Sequence, residues 1–84
     1  MHEYSIVQAL YDAVAAQAAA KHATRVHEVQ VRIGDLSGVD VGLLDTAWRT
    51  FRVHTICETA PMYVDRVPGD DLILERIVME VGDV

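Results

Sequence analysis

Cysteine is nearly missing from this 84-residue chain: Cys57 stands alone. It can form neither an internal disulfide nor a multi-thiolate metal site. Burial as a small hydrophobe is the role this residue type favours over catalysis. Positive charge is sparse as well. The seven basic residues (Lys21, Arg25, Arg32, Arg49, Arg52, Arg66 and Arg76) are scattered, and the net charge is −6. That balance argues against a nucleic-acid surface, which needs clustered cations to meet phosphates. An acidic surface suits cations or a basic protein partner without choosing between them. No stretch approaches the roughly 20 apolar residues of a membrane span. The start carries acidic Glu3 and no basic region, unlike a signal peptide, so a cytoplasmic location is expected by default. Catalytic patterns are absent too, with no Gly-rich phosphate loop, nucleophile elbow or zinc-protease helix. Ser5 and Ser37 have no histidine beside them. Glu75 and Glu80 fall in a strand pattern with solvated neighbours, and Asp70-Asp71 reads as a solvated turn. The expectation is a protein that is not an enzyme.

What remains is an ordinary globular composition, 51% apolar and 24% charged. Its length makes one domain over 1–84, near the lower limit for a core without staples. From Glu3 to about Ala20, Tyr4, Val7, Leu10, Tyr11, Val14 and Ala18 recur at spacings of three and four, which predicts an amphipathic helix. Its alanine-rich second half favours that state. Lys21 and His22 close it, where positive charge complements the helix dipole, so His22 reads as a surface residue rather than a ligand.

Val26 to Ile33 alternates, with Val29, Val31 and Ile33 on one face and Glu28, Gln30 and Arg32 on the other, as in a half-buried strand. Gly34-Asp35-Leu36-Ser37-Gly38 ends it in a turn. Asp40 stands where a carboxylate can cap a second helix. Leu43, Leu44, Ala47, Trp48 and Phe51 define that helix's apolar stripe, with His54 at its boundary. Met62–Val67 and Leu72–Val81 read as two further strands. Between them Pro68-Gly69 is the signature of a type II turn, so an antiparallel hairpin is expected. The order helix-strand-helix-strand-strand implies an α+β fold, two helices on one face of a three-stranded sheet. A right-handed crossover leaves the third strand room between the others or at an edge. Its length and its Leu, Ile and Val put it in the centre.

One constellation carries chemistry. Met1-His2-Glu3 places an α-amino group, a backbone amide, an imidazole and a carboxylate within reach of one small cation. The ring nitrogen and own amide of His2, with the terminal amine, can close a chelate of the nitrogen-rich planar kind that suits Ni(II) or Cu(II). The bland alternative is a histidine on a frayed terminus.

The run Met1-His2-Glu3-Tyr4-Ser5, the segment from Val29 to Asp40 (VQVRIGDLSGVD) and the Leu44 to Phe51 helix closely resemble HypA-type hydrogenase maturation proteins, over nearly the whole chain. The resemblance implies a nickel metallochaperone. Its expected partners are a HypB-type GTPase and the large subunit of [NiFe] hydrogenase, or in some organisms urease maturation proteins. It maps His2 onto the family's essential nickel ligand, Glu3 onto a neighbouring ligand or tuning residue, and Asp40 onto an acidic residue of the same site; Met1 is a candidate through its amine, from the chelate reading above. If the second helix packs beside the start of the first, Asp40 could orient the His2 ring by a hydrogen bond. The chain departs from the family between about 67 and 70, where a zinc module with two C-x-x-C pairs normally sits. A tetrahedral zinc site needs four ligands, so Ni(II) is expected and zinc is not. The rival expectation is an adaptor that docks on the GTPase without carrying metal; His2→Ala separates the two.

Overall fold

The computed structural model describes residues 3–82. Helix α1 runs Glu3–Ala20, strand β1 Ala23–Gly34, helix α2 Val41–Phe51, strand β2 Met62–Val67 and strand β3 Leu72–Val81. This is the expected α+β order. The buried positions of α1, Glu3, Val7, Leu10, Val14 and Ala18, follow one another at three or four residues, a single stripe along a 3.6-residue period. Tyr4 and Leu43, both assigned to apolar stripes above, are instead 58% and 56% exposed. Each stands beside the buried row of its helix, which at that turn runs through Glu3 and Leu44 instead. The first helix ends where His22 adopts φ 55°, the left-handed conformation that commonly closes a helix.

The sheet order is β2-β1-β3, and this corrects two expectations. β3 is an edge strand, and β1 holds the centre. β2 and β3 do not form a hairpin; each pairs with β1 instead, β2 in parallel and β3 antiparallel. The reason lies in burial. Val26, Val29, Val31 and Ile33 of β1 are all 0–1% exposed, whereas the apolar residues of β3 are only half covered or exposed. A strand with neighbours on both sides and helices above is the one that can hide a full row of side chains. The β1-α2-β2 unit is a helical crossover, which is what parallel neighbours require.

The Pro68-Gly69 connection therefore does not close a hairpin. It passes over the end of β1, linking Val67, registered with Gly34, to Leu72, registered with Ile33. The Gly34 amide donates to Asp71 O (2.7 Å), Asp35 N to Val67 O (2.8 Å) and Leu36 N to Gly69 O (2.7 Å). A Cβ on Gly34 would overlap the Gly69 carbonyl outright and lie 2.8 Å from Asp70 N. Position 34 thus tolerates only glycine. Gly69 supplies the positive φ (106°) of the bend.

Both helices cover one face. α1 lies against α2, β1 and β3, and α2 against α1 and β2. Tyr11 meets Phe51 with ring centroids 5.4 Å apart. Trp48 is fully buried, and its indole N–H donates to Ala60 O at 2.8 Å. Arg52 donates to the same carbonyl, pinning the loop after α2. The opposite sheet face carries an Arg32–Glu75 ion pair and a His27–Glu80 hydrogen bond. Among the described residues no helix is long and apolar enough to cross a membrane.

Candidate metal site

Among the described residues Glu3 is the buried charged one, 6% exposed. It opens α1 four residues before Val7 and so extends the apolar stripe by one carboxylate. Burying a charge is costly unless it is hydrogen-bonded. Its Oε2 accepts the backbone N–H of Asp40 at 3.2 Å, a contact between residues 37 apart in sequence. Its place in the first turn of α1 adds the favourable interaction of a negative charge with the helix N-terminus.

Asp40 is the N-cap of α2, with φ −83° and ψ 109°. Its Oδ1 accepts Leu43 N at 3.0 Å, and its own carbonyl accepts Leu44 N at 2.9 Å. The capping role expected of this residue is therefore present. Its side chain is otherwise on the exposed side. The segment that delivers Asp40 is held along its length. Ser37 N donates to Gly34 O (3.0 Å), and Ser37 Oγ accepts Val39 N (3.3 Å), a local hydroxyl-to-backbone turn. The crossover from β2 to β3 fixes the start of this loop, and Glu3 fixes its end.

The structure thus brings Glu3 and Asp40 together. Met1 and His2 lie outside the described residues. Among the described residues no three His, Cys, Asp or Glu side chains gather as a metal cluster. The other histidines fall elsewhere. His22 is exposed at the far end of α1, His27 Nε2 lies 3.1 Å from Glu80 Oε1, and His54, exposed and at φ 62°, lies beyond α2 beside Glu58. Asp70 and Asp71 are exposed in the crossover. Cys57 is fully buried, and burial pushes its thiol up from 9.0 to about 11, against a smaller opposing effect of Arg52. That is the inert, hydrophobe-like cysteine anticipated above. Sequence reasoning missed the Glu3–Asp40 bond and the part played by Ser37. A signal for the first existed: Glu3 is in phase with Val7, Leu10 and Val14.

A family model described as "Hydrogenase/urease nickel incorporation, metallochaperone, hypA" matches residues 1–71. The chain belongs to the HypA family. The hydrogenase maturation factor HypA of Shewanella baltica (strain OS185) is 41% identical over 68 residues, covering 81% of this chain and 58% of that protein. Its counterpart in Campylobacter jejuni is 36% identical over 76 residues, 89% of this chain and 67% of that one. The chain spans a little over half the length of the Shewanella relatives it matches. The solution structure of the Ni metallochaperone HypA from Helicobacter pylori superposes with TM-score 0.84 at 21% identity, over 98% of this chain and all of that one, a likeness of fold alone. A second solution structure of a HypA protein gives TM-score 0.68 at 33% identity, over 79% and 56% of the two chains. The family is thus one of nickel-incorporation metallochaperones, as the resemblance in sequence led one to expect.

Proposed function

We propose that residues 1–84 form one nickel-carrying domain of a metallochaperone, which takes up Ni(II) as cargo at its chain start and releases it by ligand exchange for [NiFe] hydrogenase maturation. The observation that carries this reading is the Glu3–Asp40 hydrogen bond. It holds Glu3, the residue next to His2 in sequence, against the cap of α2. A terminal amine, a deprotonated amide and an imidazole favour Ni(II), and carboxylates beside them offset its charge. An exposed terminal site exchanges its ligands faster than an enclosed cage, which delivery needs. The names of the relatives, a Ni metallochaperone and hydrogenase maturation factors, support the same cargo and destination. A HypB-type GTPase and the hydrogenase large subunit are the proposed partners. Structural zinc does not fit the residues of this chain, because Cys57, its sole cysteine, is buried in the apolar core.

A calorimetric nickel titration of untagged protein beside His2→Ala tests the proposal. One ion per chain is expected. His2→Ala should lose more than the roughly 10–100-fold that follows removal of a supporting group. Equal binding by the two proteins overturns the site and leaves an adaptor that carries no metal. Metal binding requires the neutral imidazole. Nickel affinity should therefore fall steeply as pH drops through the ordinary histidine range near ~6.5; affinity flat from pH ~8 to ~5 contradicts the His2 ligand.

A further inference from the structure

We infer that the free edge of β3 is an interface at which two copies of this chain join, strand against antiparallel strand, about a two-fold axis midway between Glu75 and Arg76. β3 pairs with β1 on one side only, and the other side of an edge strand offers its backbone donors and acceptors to a matching strand. β3 lies beyond residues 1–71, the part the family model matches. Two grooves run along it under α1. One, of about 490 Å³, is bounded by Ile6, Leu10, Leu72 and Leu74; the other, of about 280 Å³, reaches Ile77 and Met79. Leu72, Leu74, Ile77 and Met79 pair with Ile33, Val31, Val29 and Val26 of β1 and so face the helices, yet this inward row is only half covered.

A β-bulge selects the occupant. Gln30 and Val31, neighbours on β1, pair with Arg76 and Leu74, so Glu75 is an extra residue. Its ion pair with Arg32 puts it on the outer face, where Arg76 also stands, opposite Gln30. Two successive side chains share that face, and the pattern of faces therefore reads the same in both directions from their midpoint. With the axis there, Leu74 stands opposite Ile77 of the second copy and Leu72 opposite Met79 of the second copy, all on the helix side. On the outer face Ile73 stands opposite Val78 of the second copy. Each Glu75 stands opposite an Arg76, a charge match that symmetry makes twice. A slip of one or two residues sets an inward apolar side chain against an outward one. Past Leu72, Asp71 would meet Glu80 of the second copy, and that like-charged contact ends the ladder. Each chain carries a net charge of −6, which opposes indiscriminate association and leaves the matched edge as the favoured contact. The antiparallel ladder keeps the two Asp40 loops at opposite ends of the joined sheet, so neither candidate metal site is covered.

Exchanging charge across the axis tests the pairing. Glu75→Lys and Arg76→Glu each set like charges against each other when the variant pairs with itself. Mixed together, the two variants restore opposite charges at both contacts. Glu75→Lys also gives up the exposed Arg32 ion pair, worth little to the fold, and Trp48 fluorescence checks that both variants are folded. By sedimentation velocity, wild type should pass from monomer to dimer between ~10 μM and ~1 mM, the range of a small interface. Either variant alone should dimerise at least about tenfold more weakly, and the equimolar mixture should return to within about threefold of wild type. Amides of β3 should exchange fast in dilute wild type and gain protection as concentration rises. A strand bonded on both sides within one chain would instead be protected at every concentration. Wild type that stays monomeric at ~1 mM overturns the inference. A dimer that both variants leave intact, or that their mixture fails to rebuild, joins elsewhere and overturns it too. Exchange along β3 that is indifferent to concentration does the same.

Discussion

At the scale of single residues, Asp40 caps α2 and is the proposed carboxylate beside the nickel, and substitution can separate the two roles. Asp40→Ala removes the N-cap and should cost about 1 kcal/mol, a fall in Tm of roughly 4–8 °C for a domain of this size. Asp40→Asn keeps a capping oxygen while discarding the charge. Its melting temperature should stay near wild type while its nickel affinity drops; an Asn variant that binds nickel fully would confine Asp40 to capping. Cys57 gives a second prediction at this scale. Its folded pKa, about 11, lies above the ordinary 9.0, so the native state holds the proton more tightly than the unfolded chain does. The resulting stability is fully present below pH 9 and drains away as pH rises towards 11. Urea denaturation of wild type and Cys57→Ala across that window measures the effect, and the variant should show the shallower decline.

At the scale of elements, the β2–β3 crossover depends on Gly34. Any side chain there strikes backbone rather than the yielding end of a neighbour. Gly34→Ala should cost about 3 kcal/mol or more, lowering Tm by more than ~10 °C. A Gly34→Ala protein that melts like wild type would contradict the close crossing. The two helices and three strands were legible from periodicity, because α1, α2 and β1 each bury one face and each face obeys its own repeat. Strand order was not. The Leu, Ile and Val of β3 suggested a central strand, yet Ile73 and Val81 are 45% and 51% exposed. Composition reports how apolar a strand is, not which neighbours it acquires. The Pro68-Gly69 dipeptide likewise announced a bend without saying what the bend passes over.

At the scale of the molecule, one sheet covered by two helices gives a thin body, 16 Å along its shortest axis, and leaves the outer sheet face to ion pairs. Such exposed pairs are worth little individually. Stability therefore rests on the layer between helices and sheet, where Trp48, Leu44, Val7, Val14 and the β1 valines are fully buried. Native-state hydrogen exchange should reveal the strand order directly. Amides of β1, bonded on both sides, should exchange slowest, while alternate amides of β3 face no neighbour and should exchange fast. Uniformly slow exchange along β3 would restore it to the centre. The same layer holds the start of α1 beside α2, so the candidate site inherits its geometry from the whole core.

The sequence by itself determined the element order, the isolation of Cys57, the capping residue of α2 and the nitrogen-rich tripeptide with its expected metal. Each is a property of neighbouring residues, written in spacing or in side-chain type. Only the tertiary structure decided that β1 is central, that Gly34 lies beneath the crossover and that Glu3 meets Asp40 across 37 residues. Contacts of that range depend on how loops close around a shared core, and no local period records them.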